Sequence, residues 1–260
     1  MKIIALSNHK GGVGKTTSAV NLGAYLASAG QRTCILDLDP QANATSAIGL
    51  LEHQRSIYEA MLGGGDISDL PIKTQYENLS ILPANIDLSG VEVELANASH
   101  RLTSLRDPLH AYRPIAPFDY MLIDCPPSLG VLMTCALAAA DEILIPVQCE
   151  YLSLIGLAKM TELFFQIRET GINPGMNIEG IILTMADERT NLSRSVIDDV
   201  REQMAEVAYS TVIPRSIRLG EAPSHGQAII EYAPESKGAV AYQALADEFL
   251  QRRQVALAAA

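Results

Sequence analysis

Three groups of residues in this chain have the types and spacing to do chemistry on a phosphate ester. The first is His9-Lys10-Gly11-Gly12-Val13-Gly14-Lys15-Thr16-Thr17, which follows the apolar run Ile3-Ile4-Ala5-Leu6. A strand that empties into a Gly-rich turn ending in Lys-Thr points backbone N–H groups at phosphate oxygens. It also brings Lys15 to the β/γ-phosphates and the Thr16 hydroxyl to Mg2+. Residues 15–29 read as a helix whose positive dipole end faces the same anion. The general phosphate-loop pattern has Gly where this chain has His9 and makes no demand for Lys10. These two departures mark a particular branch of nucleotide-binding loops.

The second group is Tyr120-Met121-Leu122-Ile123-Asp124, an apolar strand ending in a carboxylate, followed by Cys125-Pro126-Pro127. Paired with a phosphate loop, such an aspartate holds Mg2+, usually through a water, beside the threonine of the loop. The plainer reading is an aspartate capping the next turn. The third group is Asp37-Leu38-Asp39-Pro40-Gln41-Ala42-Asn43-Ala44-Thr45. Period-two alternation sets Asp37 and Asp39 on one side of a strand end. A carboxylate beside the γ-phosphate orients the attacking water or accepts its proton. Asp39, further into the loop, is assigned that role. Asp37 lies nearer the loop base and the metal, with turn capping the alternative for either.

Positioning these groups requires a sheet. Strand-like runs at 33–38, 79–83, 120–124, 142–148, 178–184 and 210–213 join the first strand. Helical patterns at 15–29, 129–139, 153–169, 191–207 and 238–252 alternate with them. This order predicts an α/β fold, a mostly parallel twisted sheet with helices on both faces, in a single domain over residues 1–260. Gly63-Gly64-Gly65 reads as a surface connector, and residues 253–260 as a frayed helix end.

The chain has 260 residues, 48% of them hydrophobic, which suits one large α/β core. It shows no apolar run long enough to span a bilayer and no secretory layout at the start, so a cytoplasmic location is expected. Cys34, Cys125, Cys135 and Cys149 lack CxxC spacing and read as buried thiols rather than metal ligands. The net charge of −11 argues against a surface coated in basic residues. A local basic patch is still compatible with it, because charges are screened beyond about 8 Å at physiological salt.

The segments KGGVGKTT, DLDPQANATS, NLSILPANIDLSGVEVELA, YMLIDCPPSLG, TMADERTNL and IPRSIRLGEAPSHGQAI occur in this order from Lys2 to about Phe249. Together they resemble the ParA/Soj family of partitioning ATPases, within the ParA/MinD class that carries a deviant Walker A loop. The resemblance implies a P-loop NTPase fold, Mg-dependent ATP hydrolysis and an ATP-bound sandwich homodimer in which Lys10 contacts the partner's phosphates. Gly11 and Gly12 would then keep the dimer face flat. It implies that Pro214 and Ser216 line the adenine, although many relatives have Asn at the position of Ser216. Ala42 stands where relatives often have Gly.

The resemblance further implies non-specific duplex DNA binding through Arg189 and Arg218, with Arg194, Arg215 and Lys237 extending the patch. A ParB-like partner would stimulate hydrolysis, and the protein would associate with the nucleoid. The sequence begins almost at the P-loop, so an operator-binding segment is not expected. Related proteins position other cargo, such as chemotaxis clusters or carboxysomes. A MinD-like membrane cycle would need a basic amphipathic C-terminal helix, which the tail Leu250-Gln251-Arg252-Arg253-Gln254-Val255 matches poorly. A nitrogenase-reductase-like metal cluster would need thiolates spaced unlike Cys125 and Cys135.

Overall fold

A computed structural model describes residues 1–53, 55–187 and 189–259. The strands are β1 (Lys2–Leu6), β2 (Thr33–Asp37), β3 (Ile72–Lys73), β4 (Leu79–Leu82), β5 (Tyr120–Asp124), β6 (Glu142–Gln148), β7 (Asn177–Ala186) and β8 (Ala208–Pro214). The helices are α1 (Lys15–Ser28), α2 (Asn43–Ala47), α3 (Ile57–Met61), α4 (Val91–Glu94), α5 (Arg106–Tyr112) and α6 (Val131–Ala139). They continue with α7 (Leu152–Glu169), α8 (Asn191–Gln203), α9 (Ile217–Glu221), α10 (Ile229–Tyr232) and α11 (Lys237–Ala259).

One sheet runs in the order β3-β4-β2-β5-β1-β6-β7-β8. Every pairing is parallel except β3 with β4. The central strands are near-continuous apolar runs because both faces are covered. Ile3, Ala5, Leu36, Met121, Ile123 and Ile143 belong to the larger core, which α5, α6 and α7 also enter. Ile4, Leu6, Leu122 and Leu144 pack with residues of α1 and α11 in the second core. Period two in the strands thus assigns alternate residues to opposite layers.

The short antiparallel β3 was not expected, because two residues carry no readable alternation. Helix α8 stops at Gln203 rather than 207, and α11 runs as helix through the 253–259 stretch.

The topology decides where the chemistry sits. Strand β1 lies between β5 and β6: the chain leaves β1 toward β2 on the β5 side, and later crosses from β5 to β6 on the other side. The crevice beyond its C-terminal end is the switch point at which open α/β sheets hold ligands. Residues 7–14 leave β1 at that point. Register then places Leu6 opposite Asp124 and Asp124 opposite Asp37, at one level of the sheet.

Candidate functional site

The phosphate loop begins in buried polar anchoring. The Asn8 side chain donates to the Pro146 carbonyl (2.8 Å) and accepts from the Lys10 amide (3.0 Å). On the other side, the Thr184 hydroxyl at the end of β7 donates to the Val13 carbonyl (2.8 Å). The turn closes through Gly12 and Gly14, at φ 74° and 92°, a region closed to most side chains. Gly14 is also the N-cap of α1 and offers no side chain to its first-turn amides. Uncapped amides at a helix start form an anion site.

Lys15 is 6% exposed, and its Nζ donates to the Asn8 and Lys10 carbonyls (3.0 and 3.2 Å). Burial holds its ammonium below the usual lysine range, while Asp124, Cys125 and Asp39 pull the other way. Asp124 is fully buried, and among the described residues neither of its carboxylate oxygens has a hydrogen-bond partner. Its proton affinity is raised well above the ordinary carboxylate value, first by burial and then by the charge of Asp37, against the pull of Thr16 and Lys15. An orphaned buried carboxylate beside a buried lysine and a threonine hydroxyl suits a hard divalent cation, which takes oxygen ligands and supplies the missing charge.

Asp37 is equally buried but fully engaged. Its Oδ2 accepts from the Thr45 amide (2.8 Å) and hydroxyl (2.7 Å), and its Oδ1 accepts from the Asp39 amide (3.1 Å). The Ala84 amide donates to the Thr45 hydroxyl oxygen (3.2 Å), which ties β4 to the same knot. Burial nevertheless pushes the Asp37 carboxyl up to about 6. In this state Asp37 fastens the loop after β2, and the oxygens available to a metal belong to Asp124 and Thr16. Asp39 is 8% exposed, and its Oδ1 accepts from the Gln41 amide (2.9 Å), which fixes the loop at the mouth of the crevice.

Lys10 points away from Lys15 toward the start of α7. Its Nζ lies 3.2 Å from Ser153 Oγ, 3.5 Å from Gln148 Oε1 and 3.6 Å from Glu150 Oε2. Glu150 also faces Arg215 at 3.6 Å. Sequence reasoning missed Glu150, Thr184, Asn8 and Thr45. Thr45 stood in the quoted DLDPQANATS segment, and its eight-residue separation from Asp37 hid the contact.

Pro214 and Ser216 line a cavity of about 200 Å3 together with Gly14, Thr17, Thr184, Met185, Leu219 and Tyr242. It opens beside the phosphate loop and has the apolar lining that a nucleobase needs. Met185 stands there at φ 53°.

The basic residues separate into two sets. Arg189, Arg215 and Lys237 share one groove of about 780 Å3 with Ile217 and Val240. Arg189 is held by Asp187 through two bonds (2.9 and 2.7 Å), which keeps that carboxyl low, at about 2. Arg218 instead turns to Glu221 (2.8 Å), which also accepts from the Tyr232 hydroxyl (3.1 Å). All four cysteines are buried and unpaired, and burial raises the thiols of Cys34, Cys125, Cys135 and Cys149. Among the described residues, no helix is long and apolar enough to cross a membrane.

A family model described as an AAA domain matches residues 1–178. The chromosome partitioning protein ParA of Myxococcus xanthus is 47% identical over 96% of this chain and 88% of its own length. The sporulation initiation inhibitor protein Soj of Bacillus subtilis is 46% identical over 95% of this chain and 97% of its own. Among solved structures, cobyrinic acid a,c-diamide synthase of Mycobacterium smegmatis with bound ADP and magnesium superposes with a TM-score of 0.82. It is 33% identical, covering 98% of this chain and 96% of that one. Its fold matches under a different named activity, so the sequence relatives decide the family. The phosphate loop with its extra lysine, the carboxylates around it and the near full-length likeness lead to one conclusion: the chain belongs to the ParA/Soj family of partitioning P-loop ATPases.

Proposed function

We propose that this protein is a Mg-dependent ATPase that partitions chromosomal or plasmid DNA, cycling between a nucleotide-closed homodimer on DNA and released monomers. The observation that carries the reading is the orphaned Asp124 carboxylate beside half-buried Thr16 and buried Lys15, with Lys10 held apart on the outer face of the loop.

Phosphates would occupy the amides of residues 11–16, with the base in the Pro214–Ser216 cavity. Thr16 and Asp124, the latter through a water, would hold Mg2+, which supplies charge neutralisation at the β/γ-phosphates. Lys15 would exchange its carbonyl partners for phosphate oxygens. Asp39 orients the attacking water. Lys10 needs only to leave Glu150, Gln148 and Ser153 to reach a nucleotide on a facing subunit, and the bare Gly11–Gly12 surface admits that approach.

Arg189, Arg215 and Lys237 in one groove supply contacts for phosphates of any sequence, and Arg218 lies on α9 just beyond. A subunit offers few such contacts, so pairing two subunits multiplies affinity. A ParB-like partner would then trigger hydrolysis and release.

Duplex DNA retention measured with ATP, with ADP and without nucleotide tests the reading. Retention is expected with ATP alone and is expected to be lost in Arg189→Ala combined with Arg218→Ala. Retention that ignores nucleotide, or that survives the double substitution, refutes it.

A further inference from the structure

Between the hydrolysis loop and the Arg218 segment the chain makes a contact with no side chain on either side. Helix α2, which carries the Asp37–Thr45 knot at its centre, ends at Ala47 with Ile48 as its C-cap, and Gly49 follows directly. The 3-10 turn Ala222–His225, which continues directly from α9, ends at Gly226. Both glycines have positive φ, 83° and 65°. A methyl built on Gly226 would lie 2.8 Å from the Gly49 Cα, and one on Gly49 would lie 3.1 Å from the Gly226 carbonyl oxygen. The two backbones thus fill the space that each other's side chain would need.

Both flanks of this contact are stitched down. The Gly49 amide donates to Ser46 (3.0 Å) and Leu50 to Thr45 (3.2 Å), so Gly49 moves with α2. On the far side the Gly226 amide donates to Pro223 (3.0 Å), and Gln75 Nε2 donates to the Gly226 carbonyl (3.2 Å). The Tyr76 hydroxyl accepts from Ala228 (2.7 Å), and Asn21 on α1 accepts from Ile229 (2.7 Å). His225 stacks on Tyr232 at 4.8 Å, and Tyr232 shares Glu221 with Arg218. Between the same two segments, on the phosphate-loop side of the contact, lies a cavity of about 300 Å3 lined by Thr16 and Thr17, Asn43 and Ser46 of α2, and Pro223 and Gln227. The cavity leaves open space against α2, whereas the glycine contact is closed, with no room for a side chain on either backbone.

We propose that the Gly49–Gly226 backbone contact is the positioning element through which the hydrolysis loop sets the Arg218 segment, so that nucleotide state controls DNA affinity. The inference rests on the DNA-binding reading above. Packed backbone transmits displacement because it has no rotamer to relax. A loop ordered by γ-phosphate at one end and a cationic segment at the other form the two ends of a switch.

Gly226→Ala tests it. This substitution adds both a clash and a strained φ, so Gly171→Ala serves as control: Gly171 has φ 76° but open space around it. Fluorescence anisotropy with a duplex of arbitrary sequence reads affinity in ATP and in ADP. Gly226→Ala is expected to cut the ATP-to-ADP affinity ratio about tenfold, with the KM for ATP changed less than about twofold and Gly171→Ala behaving as wild type. A wild-type ratio in Gly226→Ala overturns the inference.

Amide exchange on the wild-type protein tests the contact without any substitution or DNA. Residues 222–232 are expected to exchange more slowly in ATP than in ADP, and identical exchange overturns the coupling. If wild-type protein fails to bind DNA in any nucleotide while this difference persists, the coupling stands and the DNA reading falls.

Discussion

The two ends of the central sheet treat buried charge in opposite ways. At the ends where the parallel strands start, Glu142, Glu179, Asp141 and Asp119 each have a cation. Arg253 of α11 donates to Glu142 and to Glu179 (2.7 Å to the latter), and Lys2 reaches Glu142 at 3.1 Å. The Tyr209 hydroxyl donates to Glu179 (2.6 Å), and the Arg253 guanidinium lies 4.4 Å from the Phe249 ring centre. Arg113 pairs with Asp141, and Arg32 with Asp119, at 2.7 and 2.6 Å. At the other end, among the described residues, neither Asp124 oxygen has a hydrogen-bond partner, Asp37 sits opposite it with its oxygens bonded, and Lys15 makes do with carbonyls of its own loop. One end pairs its carboxylates with cations of the chain, although Arg113 Nε and Arg253 Nε stay buried without a partner among the described residues. On the proposed function the other end would be completed by its ligand, whose binding would then add to the stability of the fold.

Four substitutions can break or sharpen this contrast. Asp39→Ala should have the largest effect, lowering ATP turnover by about 10^3-fold while leaving nucleotide affinity nearly unchanged, since a positioned base contributes on that scale. Single-turnover kinetics beside equilibrium nucleotide binding checks it, and unaltered turnover would remove Asp39 from its role.

Arg253→Ala comes next. It leaves Glu142 and Glu179, both largely buried, without their shared cation and should cost about 3 kcal/mol, or about 6–12 °C in Tm, with ATP affinity unaffected. Thermal unfolding checks it, and a shift under 2 °C or so would show that the paired end is not an anchor.

Asp124→Asn should move stability the other way. Its carboxyl has a raised proton affinity in the fold, so ionisation costs folding free energy above the unfolded-state value. The ligand-free variant should therefore be more stable by about 1–3 kcal/mol at neutral pH. That advantage should shrink as pH falls toward the ordinary aspartate value, because the native residue then keeps its proton in both states. The same variant should lose Mg-dependent stabilisation by ATP. A less stable variant at pH 7 would overturn the unpaired-end interpretation.

Lys10→Ala should be the mildest. Lys10 is partly exposed and its contacts are long, so stability should change by under about 0.5 kcal/mol. ATP binding should persist, while partner-stimulated turnover is lost. Normal stimulated turnover would dismiss the shared-site role.

Much of this site was legible in the sequence because it is local. The phosphate loop occupies consecutive residues, and the strand before it and the helix after it follow from patterning within a few turns of chain. Asp124 was legible for the same reason, as the polar terminus of an apolar strand. Asp37 and Asp39 were singled out as a pair, yet alternation carries no information about which of them spends its oxygens on the backbone. That depended on Thr45, whose hydroxyl and amide return to Asp37 only after α2 has turned.

The basic residues mark a similar boundary. Their types and motif were readable, but Arg189, Arg215 and Lys237 meet in one groove while Arg218 faces Glu221, a division made by how β8 runs into α9.

By itself, then, the sequence determined the chemistry: a nucleotide loop with an extra lysine, two acidic strand ends and an alternating α/β order. Only the tertiary structure decided which charges were left alone. Arg253 meets Glu142 and Glu179 across 111 and 74 residues of chain, and Gly226 meets Gly49 from the other half of the molecule. Such pairings follow from strand order and helix docking. The energy of a buried charge depends on what lies within a few ångströms of it, whatever the separation along the chain.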